Sequence, residues 1–414
     1  MKIPVRPSLF PSLVLSPIRP IFNRFSSSSS SSYSTSTKSL LVLGIESSAD
    51  DSSASIVSSN RQILSLVTIS QHSENSLYGG IHPLVAQSSH NKNIPLAIER
   101  CLRQSGKNIG DIDAIAYTRG PGMRGCLTIG EMAAKGLAAG LGKMLVGVHH
   151  MQAHALTPLL TEPNPPGFPF LILLVSGGHT QLVLAESQDK FKILLDTLDS
   201  KIGDVFEKAA RLIQLPTSPT ESPGAILESY ASSPPLPPYD LSPLALLPIP
   251  LSTNDTRDKA AFSFAGILSS LQRRIPPDAV LNENDRKEYS RLFQVAAVGH
   301  LVFKLKQTIV GLSHGGIGGL GGLVISGGVA SNLYLRQKLQ EMLSEIQRER
   351  EENTMELYYP PISLCTDNAA MIAWTAILRI QNEKGFVSDP YDLPIKPKWS
   401  LEDLYDDVES KSLM

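Results

Sequence analysis

Two stretches of this chain, about 130 residues apart, share one layout, and that repetition constrains the fold more than any other feature. Residues 40–45 (LLVLGI) form an apolar run, followed by the polar stretch ESSADDSS and a second apolar stretch, ASIVSS. Residues 170–175 (FLILLV) lead in the same way into SGGHT and then QLVLAE. Short apolar runs bounded by Gly, Ser and Asp clusters predict strands, so each layout is strand, polar turn, strand. A third unit at 323–340 (LVISGGVASNLYLRQKLQ) predicts a strand, a turn and a helix. Helical patterning covers 83–103, and a strand at 112–117 (IDAIAY) ends at Thr118-Arg119-Gly120-Pro121-Gly122. A helix rich in Ala and Gly is predicted over 128–140, and another over 366–380. Hairpins followed by helices, twice over, predict a duplicated α/β fold with a cleft between its halves.

The predicted organisation has an N-terminal segment at 1–38, a first half at 39–166 completed by the helix at 366–380, a second half at 167–365, and a C-terminal extension at 381–414. Residues 216–250 hold ten prolines, too many for helix or sheet, and are expected to form a surface insertion. His314 to Gly322 (HGGIGGLGG) is expected to be a flexible link.

The N-terminal segment stands apart in composition. Lys2, Arg6, Arg19, Arg24 and Lys38 are unopposed by any Asp or Glu before Glu46, and Ser26 to Ser32 are all serine. Basic, Ser-rich and acid-free is the composition of a mitochondrial transit peptide. Without it, 32 basic groups face 39 acidic ones, so a nucleic-acid partner must be met by a local patch rather than by the whole surface. Cys101, Cys126 and Cys365 are odd in number and far apart, which predicts reduced thiols. No run of about 18 apolar residues occurs, so no membrane-spanning helix is expected.

His150 and His154 stand at i and i+4 on a predicted helix, which projects both imidazoles from one face within reach of one divalent ion. His149 points elsewhere. Met151 occupies the position where a zinc peptidase carries its glutamate base, which disfavours peptidase chemistry. The SGGHT turn (Ser176 to Thr180) and the GGVASN turn (Gly327 to Asn332) offer backbone N–H groups to an anion, the second at a helix N-terminus. No GxxxxGK[ST] motif is present. Asp367, read from its neighbours alone, is the N-cap of the helix that follows.

Seven motifs, in order, resemble those of the tRNA N6-adenosine threonylcarbamoyltransferases, formerly called glycoproteases: GIESSADDSS (44–53), TRGPG (118–122), GVHHMQAH (147–154), LLVSGGHTQLVL (173–184), FSFAG (262–266), SGGVASN (326–332) and CTDNAAMIA (365–373). The resemblance covers residues 40–400 outside the Pro-rich stretch, and HHMQAHALTP is similar to the bacterial and mitochondrial branch. It implies an actin-like, sugar-kinase-like fold of two domains built from ribonuclease H-like halves. It implies that His150, His154 and Asp367 ligate one divalent metal, iron or zinc, which displaces the N-cap reading of Asp367. It further implies that Leu174, Val175, Ser176, Gly177, Gly178, Ser331 and Asn332 hold threonylcarbamoyl-adenylate, and that Ser48 and Asp50 face the same cleft as catalytic residues. Glu207 stands where the family has Asp, and the family's Gly-Gly-Pro is reduced to Pro223-Gly224 with Glu228 four residues on; Glu207, Gly224 and Glu228 are the remaining substrate-binding candidates. The implied partners are tRNA and a second copy of the chain, with no membrane. A metallopeptidase or a non-enzymatic ATP-binding scaffold are the rival readings.

Overall fold

The computed structural model describes residues 39–76, 78, 80–218, 221–233, 246–314, 319–350, 355–382 and 386–409. The segment at 1–38 and residues 315–318 of the Gly-rich link lie outside the described residues.

The apolar runs become strands close to where the sequence places them. Strands β1 (Leu41–Glu46), β2 (Asp51–Ser58), β3 (Gln62–Ser70), β4 (Ala114–Gly120) and β5 (Met144–His149) form a five-stranded sheet in the order β3-β2-β1-β4-β5. Strands β6 (Phe170–Val175), β7 (Thr180–Ala185), β8 (Phe191–Thr197), β9 (Ala261–Phe262), β10 (Leu323–Ser326) and β11 (Leu357–Tyr358) form a six-stranded sheet in the order β11-β10-β6-β7-β8-β9. In both sheets the first three strands run antiparallel, and the next two continue parallel from the first. The second sheet is thus the first repeated, with β9 added beyond β8. This is the duplicated actin-like, two-domain α/β fold that the repeated hairpins and the family motifs predict.

The helices are α1 (His72–Ser76), α2 (Pro83–Ser105), α3 (Arg124–Leu141), α4 (His150–Thr161), α5 (Ile202–Leu212), α6 (Pro223–Ser232), α7 (Ala265–Arg274), α8 (Glu283–His314), α9 (Leu333–Arg350), α10 (Ile362–Cys365), α11 (Ala369–Asn382) and α12 (Asp406–Glu409). On the first sheet, α2 and α3 cover one face and α11 and α4 the other. Cover on both faces explains why β1 and β4 are buried along their whole length. Gly44 makes the approach of α11 possible, since a Cβ there would stand 2.3 Å from the Ala369 carbonyl oxygen. Helix α4 is shared between the halves. Its Ala153 and Leu160 pack with the first sheet, while Met151, Ala155 and Leu156 pack with β6, β7 and β10 of the second.

Two expectations are corrected. The stretch 216–250 is not all loop, because Pro223–Ser232 is helical, capped by Ser222 and opened by Pro223, a residue whose fixed φ suits a first helical position. Its Ile226 and Leu227 are buried, so this part belongs to the core; residues 219–220 and 234–245 lie outside the described residues. The helix expected from 128 begins at Arg124, immediately after the TRGPG turn. Among the described residues one helix, α8, is long and apolar enough by length and composition to cross a membrane, yet its apolar residues pack against α5, α6, α7 and α9. The three cysteines are free, as expected, and all three are buried.

Candidate metal centre

Helix α4 starts directly at the end of β5, and this junction aims its histidines. His149 is the last residue of the strand and the helix N-cap, and its Nδ1 accepts from Met151 N at 3.1 Å and Gln152 N at 3.2 Å. His150 and His154 then fall one turn apart, ring centroids 4.7 Å from each other and planes at 88°. Asp367 comes from the far end of the chain, in the turn between α10 and α11 that Gly44 lets approach β1. Asp367 does not cap α11: Asn368 does, its Oδ1 accepting from Met371 N at 3.1 Å. The carboxylate is therefore free to face the histidines.

Asp367 Oδ1 lies 3.1 Å from His154 Nε2 and 3.4 Å from His150 Nε2, and the three ligand atoms lie within 4.8 Å of one another. Atoms bound tetrahedrally at about 2.0–2.1 Å from one ion stand roughly 3.3 Å apart, so these two separations suit a shared ion. The donor set, two imidazoles and a carboxylate, is that of a mononuclear site with room for substrate. His150 and His154 are buried. Burial disfavours a charged His150 ring, but Glu46 and Asp367 outweigh it and hold its pKa up at about 10. Burial raises Asp367 too, but His150 and His154 overcome it and hold the carboxyl well below its usual range. A cation is thus favoured at this point, and a metal ion would supply it without a proton.

Sequence reasoning missed Glu46. It is fully buried, and its Oε2 stands 3.1 Å from His150 Nδ1. Glu46 also accepts from Ser48 N at 2.6 Å and from the Thr118 hydroxyl. Held by these donors, it fixes the ring so that Nε2 is the atom turned toward Asp367. His179, in the SGGHT turn, was also missed; its ring centroid is 6.5 Å from that of His150, and burial followed by the charges of His150 and His154 pushes its pKa down to about 3.

The candidate residues gather in two groups. Around the histidines, Ser48 Oγ donates to Asp367 Oδ2 at 3.4 Å. Asp50, in the same β1–β2 turn, accepts from Asn75 Nδ2 at 2.9 Å, and burial followed by the Asp367 charge raises its pKa. Burial also raises Glu207, on α5, where Arg211 opposes and the charges of Asp204 and Asp50 add to the shift. Next to them, Gly177 and Gly178 are exposed, but Gly178 N and His179 N donate to Ser176 Oγ at 3.2 and 3.0 Å, so these two N–H groups are already engaged. Leu174 and Val175 bury their side chains in the core, leaving only main chain for a ligand.

The second group sits at the start of α9. Asn332 caps it, accepting from Leu335 N at 2.8 Å and donating to Gln294 Oε1 at 3.0 Å, while Ser331 Oγ donates to Gly328 O at 2.7 Å. Glu228 accepts from Leu333 N at 2.5 Å. The expectation of free N–H groups at this N-terminus is corrected accordingly, since the chain's own oxygens occupy Leu333 N and Leu335 N. Gly224 lies in the first turn of α6, where an added Cβ would meet Phe206 Cβ at 3.8 Å.

A duplicated actin-like fold with a two-histidine, one-aspartate cluster at the helix shared by its halves defines an enzyme class with a candidate mononuclear metal centre. Comparison with known proteins then narrows the class. Residues 62–374 match the family described as tRNA N6-adenosine threonylcarbamoyltransferase. A mitochondrial tRNA N6-adenosine threonylcarbamoyltransferase of Schizosaccharomyces pombe is 38% identical over 379 residues, covering 89% of this chain and 88% of that protein. Proteins of the same description from Chromobacterium violaceum and Ralstonia pickettii are each 36% identical, covering 88% of this chain and 99% of theirs. The chain belongs to the tRNA N6-adenosine threonylcarbamoyltransferase family and is a transferase of tRNA modification.

Proposed function

We propose that this chain transfers the threonylcarbamoyl group from threonylcarbamoyl-adenylate to N6 of adenosine 37 in mitochondrial tRNAs that read codons beginning with A, a reading supported by its family and its mitochondrial relative. It works in the matrix, after loss of the segment at 1–38, as a homodimer. The single observation that carries the chemical part is the convergence of His150 Nε2, His154 Nε2 and Asp367 Oδ1. These three atoms would hold one iron or zinc ion, which supplies Lewis acidity toward a carbonyl or phosphate oxygen.

The rest of the reaction falls to the chain. The adenine N6 amine attacks the carbamoyl carbonyl carbon, the bond from that carbon to the phosphate oxygen breaks, and AMP departs with the electron pair. Ser48 and Asp50 face the reacting groups from the β1–β2 turn. Asp50, with its raised pKa, is suited to take the proton that N6 loses. Gly177 and Gly178, having no side chains, leave the acyl-adenylate room to approach the main chain of this turn. Gly224, Glu228, Ser331 and Asn332 line the nucleotide end, the last three by shaping the start of α9 rather than by offering free donors, while Glu207 belongs with Asp50 nearer the histidines.

Mass analysis of nucleosides from purified mitochondrial tRNA tests the proposal. Deleting the gene should remove N6-threonylcarbamoyladenosine from that pool and spare cytosolic tRNA. Unchanged modification in mitochondrial tRNA would refute it.

A further inference from the structure

The TRGPG turn sits against the C-terminal segment as well as against Ser48, and the contacts identify what its arginine does. Arg119 is almost wholly buried, and it spends its guanidinium on residues near the end of the chain. Its Nε donates to Pro394 O at 2.8 Å and Nη1 to Asp407 Oδ1 at 3.1 Å, with Nη2 on the other oxygen of that carboxylate. Its guanidinium carbon lies 4.9 Å from the Trp399 ring centroid. Main chain follows the same course, with Lys396 N donating to Arg119 O at 2.9 Å and Gly122 N to Pro397 O at 3.1 Å. The approach is so close that a Cβ on Gly120 would fall 1.9 Å from Lys396 O.

From there the segment reaches α4 twice. His149 Nδ1 accepts two helix N–H groups, so its proton must sit on Nε2, which donates to Trp399 O at 3.2 Å. The Trp399 ring lies 4.6 Å from the His149 ring. One turn on, Tyr405 donates to Gln152 Oε1 at 3.0 Å. Leu401 and Leu404 are buried against the second half beside Met151, Ala155 and Leu156, and Glu402 accepts from Ile193 N at 2.8 Å.

We propose that residues 386–409 form a strap, seated by Arg119, that fixes the start of α4 and thereby positions His150 and His154. His149, Trp399 and Asp407 are positioning residues for the candidate metal centre. The inference rests on the reading that the two histidines and Asp367 bind an ion. It gives Arg119 and His149 roles in the site although neither is one of the three candidate ligands. His149 transmits the strap's position because it is both the cap of α4 and the neighbour of a ligand.

Cobalt(II) binding to the full chain, followed by its visible ligand-field band, tests the strap. The variants are Asp407→Asn, His149→Asn, His149→Ala and, as the ligand control, His154→Ala. Asp407 is 31% exposed, so weakening its pair with Arg119 does not open the core. His149→Asn can still cap the helix but loses the link to Trp399. Asp407→Asn and His149→Asn are expected to keep the wild-type circular dichroism, weaken cobalt binding at least tenfold and shift the band. His149→Ala should lose more. Wild-type affinity and band in both asparagine variants, with binding lost in His154→Ala, would overturn the strap and leave the metal reading intact. A wild-type chain that gives no band, or a His154→Ala chain that matches it, would overturn both.

Discussion

Glu46 Oε2 stands 3.1 Å from His150 Nδ1, and both residues are buried. A carboxylate behind a histidine fixes the ring's tautomer and raises its basicity, and the loss of such a partner weakens metal binding 10- to 100-fold in known sites. Glu46→Gln keeps the shape but removes the charge and allows the ring to turn. Zinc affinity, measured by competition with a chelator, is expected to fall by about that factor. Equal affinity in the variant would mean that Glu46 serves the fold alone.

Replacing His150, His154 or Asp367 by Ala should each release most of the bound metal and abolish transfer to tRNA, because two remaining ligands hold an ion poorly against water. Elemental analysis and single-turnover transfer measure both effects. His149→Ala, an attractive control on spacing alone, is a poor one, since His149 caps α4 and meets the Trp399 carbonyl. His82→Ala is the better control, because that ring is exposed and makes no cap hydrogen bond. Full metal content in the Asp367 variant would remove it from the ligand set.

How far the sequence reveals this site follows from the distances along the chain. The hairpins, their polar turns and the paired histidines are local patterns, and each reappears within a few residues of its expected place. Asp367 meets His154 across 213 residues, so only the family motifs signalled its part; its neighbours argued for a cap that Asn368 provides. Glu46 was visible at the end of a buried run, but a carboxylate there gains meaning only once α4, 104 residues on, lies beside it. The strap was illegible for the same reason. Helix α6 was missed differently: ten prolines averaged over 216–250 hid the proline-free window from 224 to 233.

That window yields a stability test. Leu227 is fully buried in the core of the second half. Leu227→Ala should therefore destabilise the protein by about 2–5 kcal/mol, the usual cost of such a cavity. Urea titration measures it. A loss below about 0.5 kcal/mol, the surface norm, would return this segment to the status of a loop.

A fluorescent protein carrying residues 1–40 should enter mitochondria, given five basic residues and no acidic one in that stretch. Microscopy reads the result, and a fusion that stays in the cytosol would remove the basis for matrix import.

His300 should make the second half sensitive to mild acid. The residue has no exposed surface; its ring lies against Phe262 and Phe264, and its Nε2 accepts from Ser263 N at 3.0 Å. Burial, then the nearby charge of Lys304, pushes its pKa from 6.5 down to about 4. The folded value is the lower one, so His300 is neutral in both states above pH 6.5 and its full contribution to stability is present there. Between pH 6.5 and about 4 the unfolded chain takes up a proton that the native ring refuses, and stability falls with falling pH. At about 1.4 kcal/mol per unit, the loss is roughly 3 kcal/mol over that window. His300→Gln retains an acceptor for Ser263 N but cannot titrate. Its stability at pH 8 is expected to be lower than that of the wild type, with the gap closing as the pH falls toward 4. Urea midpoints of both proteins across this range measure the difference, which cancels the titration of His150, His154 and other shared groups. A gap that stays constant with pH would show that the native ring takes up its proton as readily as the unfolded one, and the lowered pKa of His300 would be wrong.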